Sequence, residues 1–187
     1  DHPDIVAGQG TVALEVLEDL PEVATVVVPV GGGGLCAGMA TVLAGASPGV
    51  RVYGVEPRGA AGMRRSLDRG EASRLDEVDT VADGLGAPMA GELTYEIVRD
   101  LVEDVVVVSD GAIARAAALV LERTKQLVEP AGAAGVAALL EGLVPVDRGP
   151  VVAVLSGGNV DLDRLGALLE MATGTPASGG SGGPPED

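Results

Sequence analysis

The sequence predicts an α/β fold of three layers, αβα, with a mostly parallel sheet between helices. Three observations predict it. Short apolar runs rich in valine alternate with longer segments of helical periodicity, the pattern of parallel strands joined by right-handed crossovers. Hydrophobic residues make up 47% of the 187 residues but aromatics only 1%, so the core is built from Val, Leu, Ala and Ile, as suits a sheet covered on both faces. Apolar runs also end in glycine-rich segments, VVVPVGGGG at 26–34 and VLSGG at 154–158. In such folds ligands bind at the carboxyl ends of strands.

Each element can be justified in order. In Gly8–Leu20 the residues Val12, Val16 and Leu17, with Ala13 and Leu14 beside them, have helical spacing, and Pro21 stops the helix. Thr25–Val30 reads as a buried strand, Leu35–Ala46 as a helix halted by Ser47-Pro48-Gly49, and Arg51–Glu56 as a second strand. Ala60–Arg69 is predicted helical, Gly70–Asp79 a polar loop and Thr80–Pro88 irregular. Leu93–Leu101 is a helix and Val105–Val108 a short strand. Ser109 or Asp110 can cap the helix Ala112–Leu127 by accepting a hydrogen bond from a free N–H. Pro130 suits a helix start, and Ala131–Leu140 continues it. Val151–Leu155 is a further buried strand and Asp161–Met171 the last helix. Thr173–Asp187, rich in Gly, Pro and Ser, is predicted to be a flexible tail behind one domain over residues 1–172.

A net charge of −16 argues against a nucleic-acid backbone or an anionic membrane surface as partner, because both call for basic patches. No apolar run reaches the ~18 residues of a membrane span, and no signal-peptide pattern is seen. The lone Cys36 cannot form an internal disulfide and fits a reducing, cytoplasmic compartment, with helix packing as its simplest role.

Gly31, Gly32, Gly33 and Gly34 close the first strand and open a helix. Glycine inside a regular element costs roughly 0.5–1 kcal/mol against alanine, so the run signals a need for positive φ or bare backbone. Unpaired N–H groups at a helix start form an anion cradle, reinforced by the helix dipole, and side chains would hold an oxyanion away from them. A phosphate is the natural occupant. A Walker A loop is excluded, because Gly34-Leu35-Cys36 stands where Gly-Lys-Ser/Thr is required. Gly32-Gly33-Gly34-Leu35-Cys36-Ala37 fits the dinucleotide pattern GxGxxA, with Glu56 about 20 residues on as a ribose-binding acid. A cofactor monophosphate such as pyridoxal phosphate is the other candidate, and a tight turn without ligand is the plain alternative. A second glycine loop, Ser156-Gly157-Gly158-Asn159, again follows a buried strand, and two such loops can flank one flat ligand. Glu129-Pro130-Ala131-Gly132 sets an acid before a small-residue helix, and Ala82-Asp83-Gly84-Leu85 is a further conspicuous loop.

In chain order, the segments AGQGTVALEVL (7–17), VVVPVGGGGLCAG (26–38), GVEPRGA (54–60), TVADGLGAP (80–88), LVEDVVVVSD (101–110), LERTKQLVEPAGAAG (121–135) and VLSGGNVDL (154–162) resemble the threonine/serine dehydratase group of pyridoxal-phosphate enzymes. That group has the type II, tryptophan-synthase-β-like fold and is similar to serine racemase. The resemblance implies pyridoxal 5′-phosphate as cofactor, a small amino-acid substrate, and a homo-oligomer, a dimer. It implies loss of water from L-threonine or L-serine to give a 2-oxo acid and ammonia, and the same machinery could racemise serine or dehydrate 3-hydroxyaspartate. By resemblance, the amides of Gly31, Gly32, Gly33 and Gly34 hold the cofactor phosphate. Ser156 meets the pyridine nitrogen, where a neutral hydroxyl leaves that nitrogen largely unprotonated; a helix cap is its plain alternative. Gly84 lies beside the ring through its backbone. Glu129 is an acid near the ring or an ordinary first-turn acid. Asn159 shapes its loop. Glu56 and the Ala60 carbonyl match two ligands of a divalent-cation site, but Gly62 stands where the family has a second acid. One carboxylate would hold a hard cation weakly, and a surface glutamate is the competing reading.

The family's Schiff-base lysine lies in a Ser-Phe-Lys-type motif and its substrate-carboxylate loop reads Ser-x-Gly-Asn-His. Neither is in this sequence, which has no phenylalanine. Lys125, the only lysine, matches an additional helix lysine of the family and is expected to be an exposed cation near a helix C-terminus. The match begins midway along the family's usual length. The expectation is therefore a C-terminal portion of the cofactor-binding domain, without the lysine-bearing part and inactive alone. A non-catalytic half-enzyme or partner subunit is the alternative of another class, and a dinucleotide-binding domain the more remote one.

Overall fold

The structure, a computed structural model, describes residues 1–174. The strands β1 (Thr25–Pro29), β2 (Arg51–Pro57), β3 (Asp104–Val108) and β4 (Val151–Ala153) form one parallel sheet in the order β3-β2-β1-β4. Thr25 aligns with Arg51 on one side and Val151 on the other, so β1 is interior and the carboxyl ends leave the sheet together. Helices α1 (Pro3–Asp19), α2 (Gly34–Ala46), α3 (Gly62–Arg69) and α4 (Glu92–Leu101) cover one face. Helices α5 (Asp110–Thr124), α6 (Pro130–Leu140) and α7 (Leu162–Thr173) cover the other.

The alternation of β1 side chains divides the core. Val26, Val28 and Val30 pack with Met39, Leu43 and Met63, whereas Val27 packs with Ile113, Ala114 and Ala133. Every residue of β1 is buried, which accounts for an unbroken apolar run rather than an alternating one. Small residues let helices approach closely. A Cβ on Gly10 of α1 would meet the Gly38 carbonyl oxygen of α2 at 3.0 Å, and one on Gly38 would collide with the Val6 carbonyl.

The departures from the predicted elements have local causes. α1 begins at Pro3, where proline needs no N–H partner and His2 Nδ1 accepts the Asp4 N–H. The predicted helix 60–69 divides into a 3-10 turn, Arg58–Ala60, and α3. α5 stops at Thr124 because Lys125 adopts φ 62, so Lys125 caps the helix instead of riding on it. Ser109 Oγ, not Asp110, caps α5 by accepting the Ala112 N–H. β4 ends at Ala153 and is only half-buried, at the sheet edge. The predicted flexible tail lies, from residue 175 on, outside the described residues. Among the described residues no helix is long and apolar enough to cross a membrane.

Candidate cofactor-phosphate site

β1 delivers the chain to Val30, whose N–H donates to the Val55 carbonyl at 2.8 Å, and the glycine loop follows at the sheet's carboxyl edge. Gly33 has φ +92, and a Cβ there would lie 2.8 Å from Met63 Cε and from Thr94 Cβ and Oγ1, so only glycine fits. A Cβ on Gly31 would come within 3.3 Å of Leu85 Cα, whereas one on Gly32 would meet nothing within 4 Å. The Gly33 carbonyl opens α2 by accepting the Ala37 N–H at 2.8 Å. The N–H groups of Gly31 to Gly34 find no acceptor among the described residues. Donors in that state at a helix start are suited to an oxyanion.

The loops singled out in the sequence converge here. Gly31 lies against the 3-10 turn Asp83–Leu85, and its Cβ would be 3.4 Å from the Gly84 carbonyl oxygen. A Cβ on Gly84 would meet Ala131 Cβ at 2.9 Å and approach Glu129 Oε2 at 3.9 Å. One on Gly157 would collide with Glu129 Oε1, and the Glu129 N–H donates to the Gly157 carbonyl at 3.1 Å. Gly31, Gly84, Glu129 and Gly157 are therefore successive close neighbours in space. Ser156 and Asn159 are exposed in the loop after β4. A cleft of about 660 Å³ opens beside this row, lined by Gly84, Glu129, Asn159, Arg164 and Leu168 among others.

Two supports escaped sequence reasoning. Asp110 accepts the Thr80 hydroxyl at 2.7 Å and the Val81 N–H at 3.1 Å, and Thr80 Oγ1 accepts the Ala82 N–H at 3.1 Å. That chain of bonds holds the turn bearing Gly84. Thr94, 1% exposed on the first turn of α4, reaches the glycine loop itself. An acid beside a helix start was visible in the sequence, but its partner 29 residues away was not.

Glu56 corrects the reading of a surface glutamate. It is 0% exposed, its Oε1 accepts the Met63 N–H at 2.7 Å, and its Oε2 accepts the Arg64 N–H at 2.8 Å. Burial pushes its carboxyl up to about 7, against the pull of those amides. Both oxygens thus face the start of α3, and the buried side chain is not presented to the ribose of a dinucleotide. A cation at Glu56 and the buried Ala60 would have to compete with both amides. Among the described residues no group of three or more His, Cys, Asp and Glu is placed to hold a metal ion. Cys36 is buried, and desolvation, with the Glu56 charge second, pushes its thiol up to about 12. That makes it packing rather than a nucleophile. Lys125 is exposed, and its Nζ donates to the Glu122 carbonyl.

Comparison with known proteins identifies the family. The family model described as pyridoxal-phosphate dependent enzyme matches residues 1–157. The chain is 46% identical over 170 residues to an L-threonine ammonia-lyase of Geobacter sulfurreducens, covering 91% of this chain and 42% of that protein. It is 42% identical over 170 residues to the catabolic L-threonine dehydratase TdcB of Escherichia coli K12, covering 90% of this chain and 52% of the relative. The processed form of threonine deaminase isoform 2 from Solanum lycopersicum superposes with a TM-score of 0.87 at 36% identity, over 92% of this chain and 51% of that one. Maize serine racemase gives 0.81 at 42% identity, over 87% and 50%. The chain thus spans about half the length of the curated relatives it matches. With its parallel sheet, its covering helices and a match over most of its length, the chain belongs to the family of pyridoxal-phosphate dependent enzymes.

Proposed function

We propose that this chain seats the phosphate of pyridoxal 5′-phosphate and is the phosphate-holding half of an L-threonine/L-serine dehydratase, an ammonia-lyase. The observation that carries the reading is the row of amides at Gly31 to Gly34, without protein acceptors among the described residues, at the carboxyl end of an interior strand. Gly33 at φ +92, packed on Met63 and Thr94, gives the loop a conformation that side chains disfavour, as suits a loop that must present main-chain nitrogen.

In this reading the four glycine amides hold the phosphate and the start of α2 turns its positive end toward it. The Ser156 hydroxyl meets the pyridine nitrogen, and the Gly84 backbone and Glu129 flank the ring. Bound there, the cofactor supplies an electron sink for loss of the substrate α-proton and β-hydroxyl. Ser156 gives that ring a neutral partner, whereas a carboxylate would stabilise its protonated form. The names of the relatives, threonine ammonia-lyase and threonine dehydratase, support threonine as substrate. Serine racemisation is a second reading, supported by the likeness to maize serine racemase.

The test has two parts. First, the full 187-residue chain is titrated with pyridoxal 5′-phosphate and with pyridoxal, with inorganic phosphate as competitor. The phosphorylated form is expected to bind, phosphate to displace it, and pyridoxal to bind far more weakly. Equal binding of pyridoxal would remove the phosphate seat. Second, the first half of the Geobacter relative is supplied as a separate chain, and 2-oxobutanoate from threonine and D-serine from L-serine are measured. Binding with no 2-oxobutanoate would remove the dehydratase assignment, and D-serine alone would select the racemase.

A further inference from the structure

We infer that Thr94 is a positioning residue for the phosphate loop: its buried hydroxyl holds the Gly32–Gly33 peptide in the orientation that turns the Gly33 N–H toward an anion. The inference rests on the phosphate seat proposed above and adds a residue outside the glycine motif.

The geometry is specific. Thr94 Oγ1 lies 2.7 Å from the Gly32 carbonyl oxygen and 3.1 Å from that of Gly91. A hydroxyl has one proton to give, and the nearer acceptor takes it. The Gly91 N–H adds a longer bond to the same Gly32 oxygen, at 3.3 Å. The Gly32 carbonyl is therefore drawn toward the first turn of α4. The peptide that follows is trans, since the described residues contain no cis bond, and in a trans peptide the C=O and the next N–H point in opposite directions. Pulling the Gly32 oxygen to α4 thus turns the Gly33 N–H away from α4.

Sterics complete the lock. With φ +92 and Thr94 Cβ and Oγ1 2.8 Å from where its own Cβ would be, Gly33 is seated directly on Thr94. Met63 Cε closes the same space at 2.8 Å, and Met63 is fixed by its N–H bond to Glu56 Oε1. Thr94 is itself held in place. The Asp1 carboxylate accepts the Leu93 and Thr94 N–H groups, at 3.2 and 3.3 Å, at the start of a helix that has no side-chain cap of its own. Without the hydroxyl, the Gly32 carbonyl would keep only the longer Gly91 bond. Its peptide could then rotate and present oxygen, not hydrogen, to a phosphate.

The full 187-residue chain is tested as wild type, T94V and T94S, following the backbone amide NMR signals of Gly31 to Gly34 during titration with inorganic phosphate and then with pyridoxal 5′-phosphate. Valine keeps the shape and loses the donor, while serine keeps the donor. T94V is expected to bind phosphate about fivefold to tenfold more weakly, the worth of one hydrogen bond, with the largest change at the Gly33 signal. T94S is expected to stay within about twofold of wild type, because its donor is retained. A purely structural role would lower the melting temperature and leave the affinity of the folded protein unchanged. A folded T94V that binds as tightly as wild type, or a T94S that loses as much as T94V, overturns the inference and leaves the phosphate seat standing. Wild type whose glycine amides ignore phosphate overturns the seat and the inference together. Should T94V fail to fold, T94A against T94S carries the same comparison.

Discussion

Gly33 and Gly32 separate two uses of glycine that adjacent letters conceal. Gly33 is there for its conformation and for the space that Met63 and Thr94 leave, whereas Gly32 is unobstructed. Gly33→Ala is expected to cost roughly 1–3 kcal/mol through the left-handed backbone alone, with the steric clash in addition. Gly32→Ala should shift stability by less than about 0.5 kcal/mol, as an exposed substitution does. It should still weaken phosphate binding by crowding the amides, and thermal denaturation beside a phosphate titration measures both effects. Glu56 carries a different consequence. Its folded-state value of about 7 lies above the ordinary 4.5, so between those values the folded state binds more protons than the unfolded one. Its contribution to stability is therefore greatest below about 4.5 and falls as pH rises to about 7. Glu56→Gln should flatten that part of the stability–pH profile, as read by urea unfolding at a series of pH values. It should also lower stability throughout, because its amide NH₂ faces one of the two α3 N–H groups. An unchanged slope would show that another group sets it.

At the level of elements, the helices on the first face are placed by small residues as much as by large ones. α1 and α2 meet backbone to backbone at Gly10 and Gly38, and the Gly10 N is 2.7 Å from a Cβ built on Gly38. Since α2 begins at the glycine loop, this crossing sets the direction from which its first turn faces the site. Gly38→Ala should destabilise by ~1–3 kcal/mol, as overpacking does, and should weaken phosphate binding as well if α2 shifts. A variant with native melting temperature would show that the two backbones do not meet at this glycine pair. The four strands and the seven α-helices of the described residues were legible in the sequence, because strand runs and helical periods are local, whereas the 3-10 turns at Arg58–Ala60 and Asp83–Leu85 were not. The ends were less so. α5 stops at a lysine with positive φ, which propensity disfavours, and β4 shortens because an edge strand has a partner on one side only.

For the whole molecule, the strand order places the loops after β1 and β4 side by side, and α6 and the 3-10 turn at Asp83 complete the rim. A ligand held by several segments stabilises the assembled state only. Pyridoxal 5′-phosphate at a hundred times its dissociation constant should stabilise the chain by ~2.7 kcal/mol. NAD should give no shift, because Glu56 is turned into α3 and cannot serve a ribose. A melting curve that rises with NAD and not with pyridoxal 5′-phosphate would reverse the assignment.

The sequence by itself determined the layered α/β class, the succession of strands and helices, and the glycine, SGGN and ADGL segments as the places to look. These are properties of composition and short-range period, and each is written within a few consecutive residues. Only the tertiary structure decided which segments touch. It committed Glu56 to two amides of α3, gave Asp110 the loop bearing Gly84, and set Thr94 against a carbonyl 62 residues away. Such pairings arise when strand order and helix crossing bring distant backbone groups within hydrogen-bond reach. No spacing along the chain encodes them.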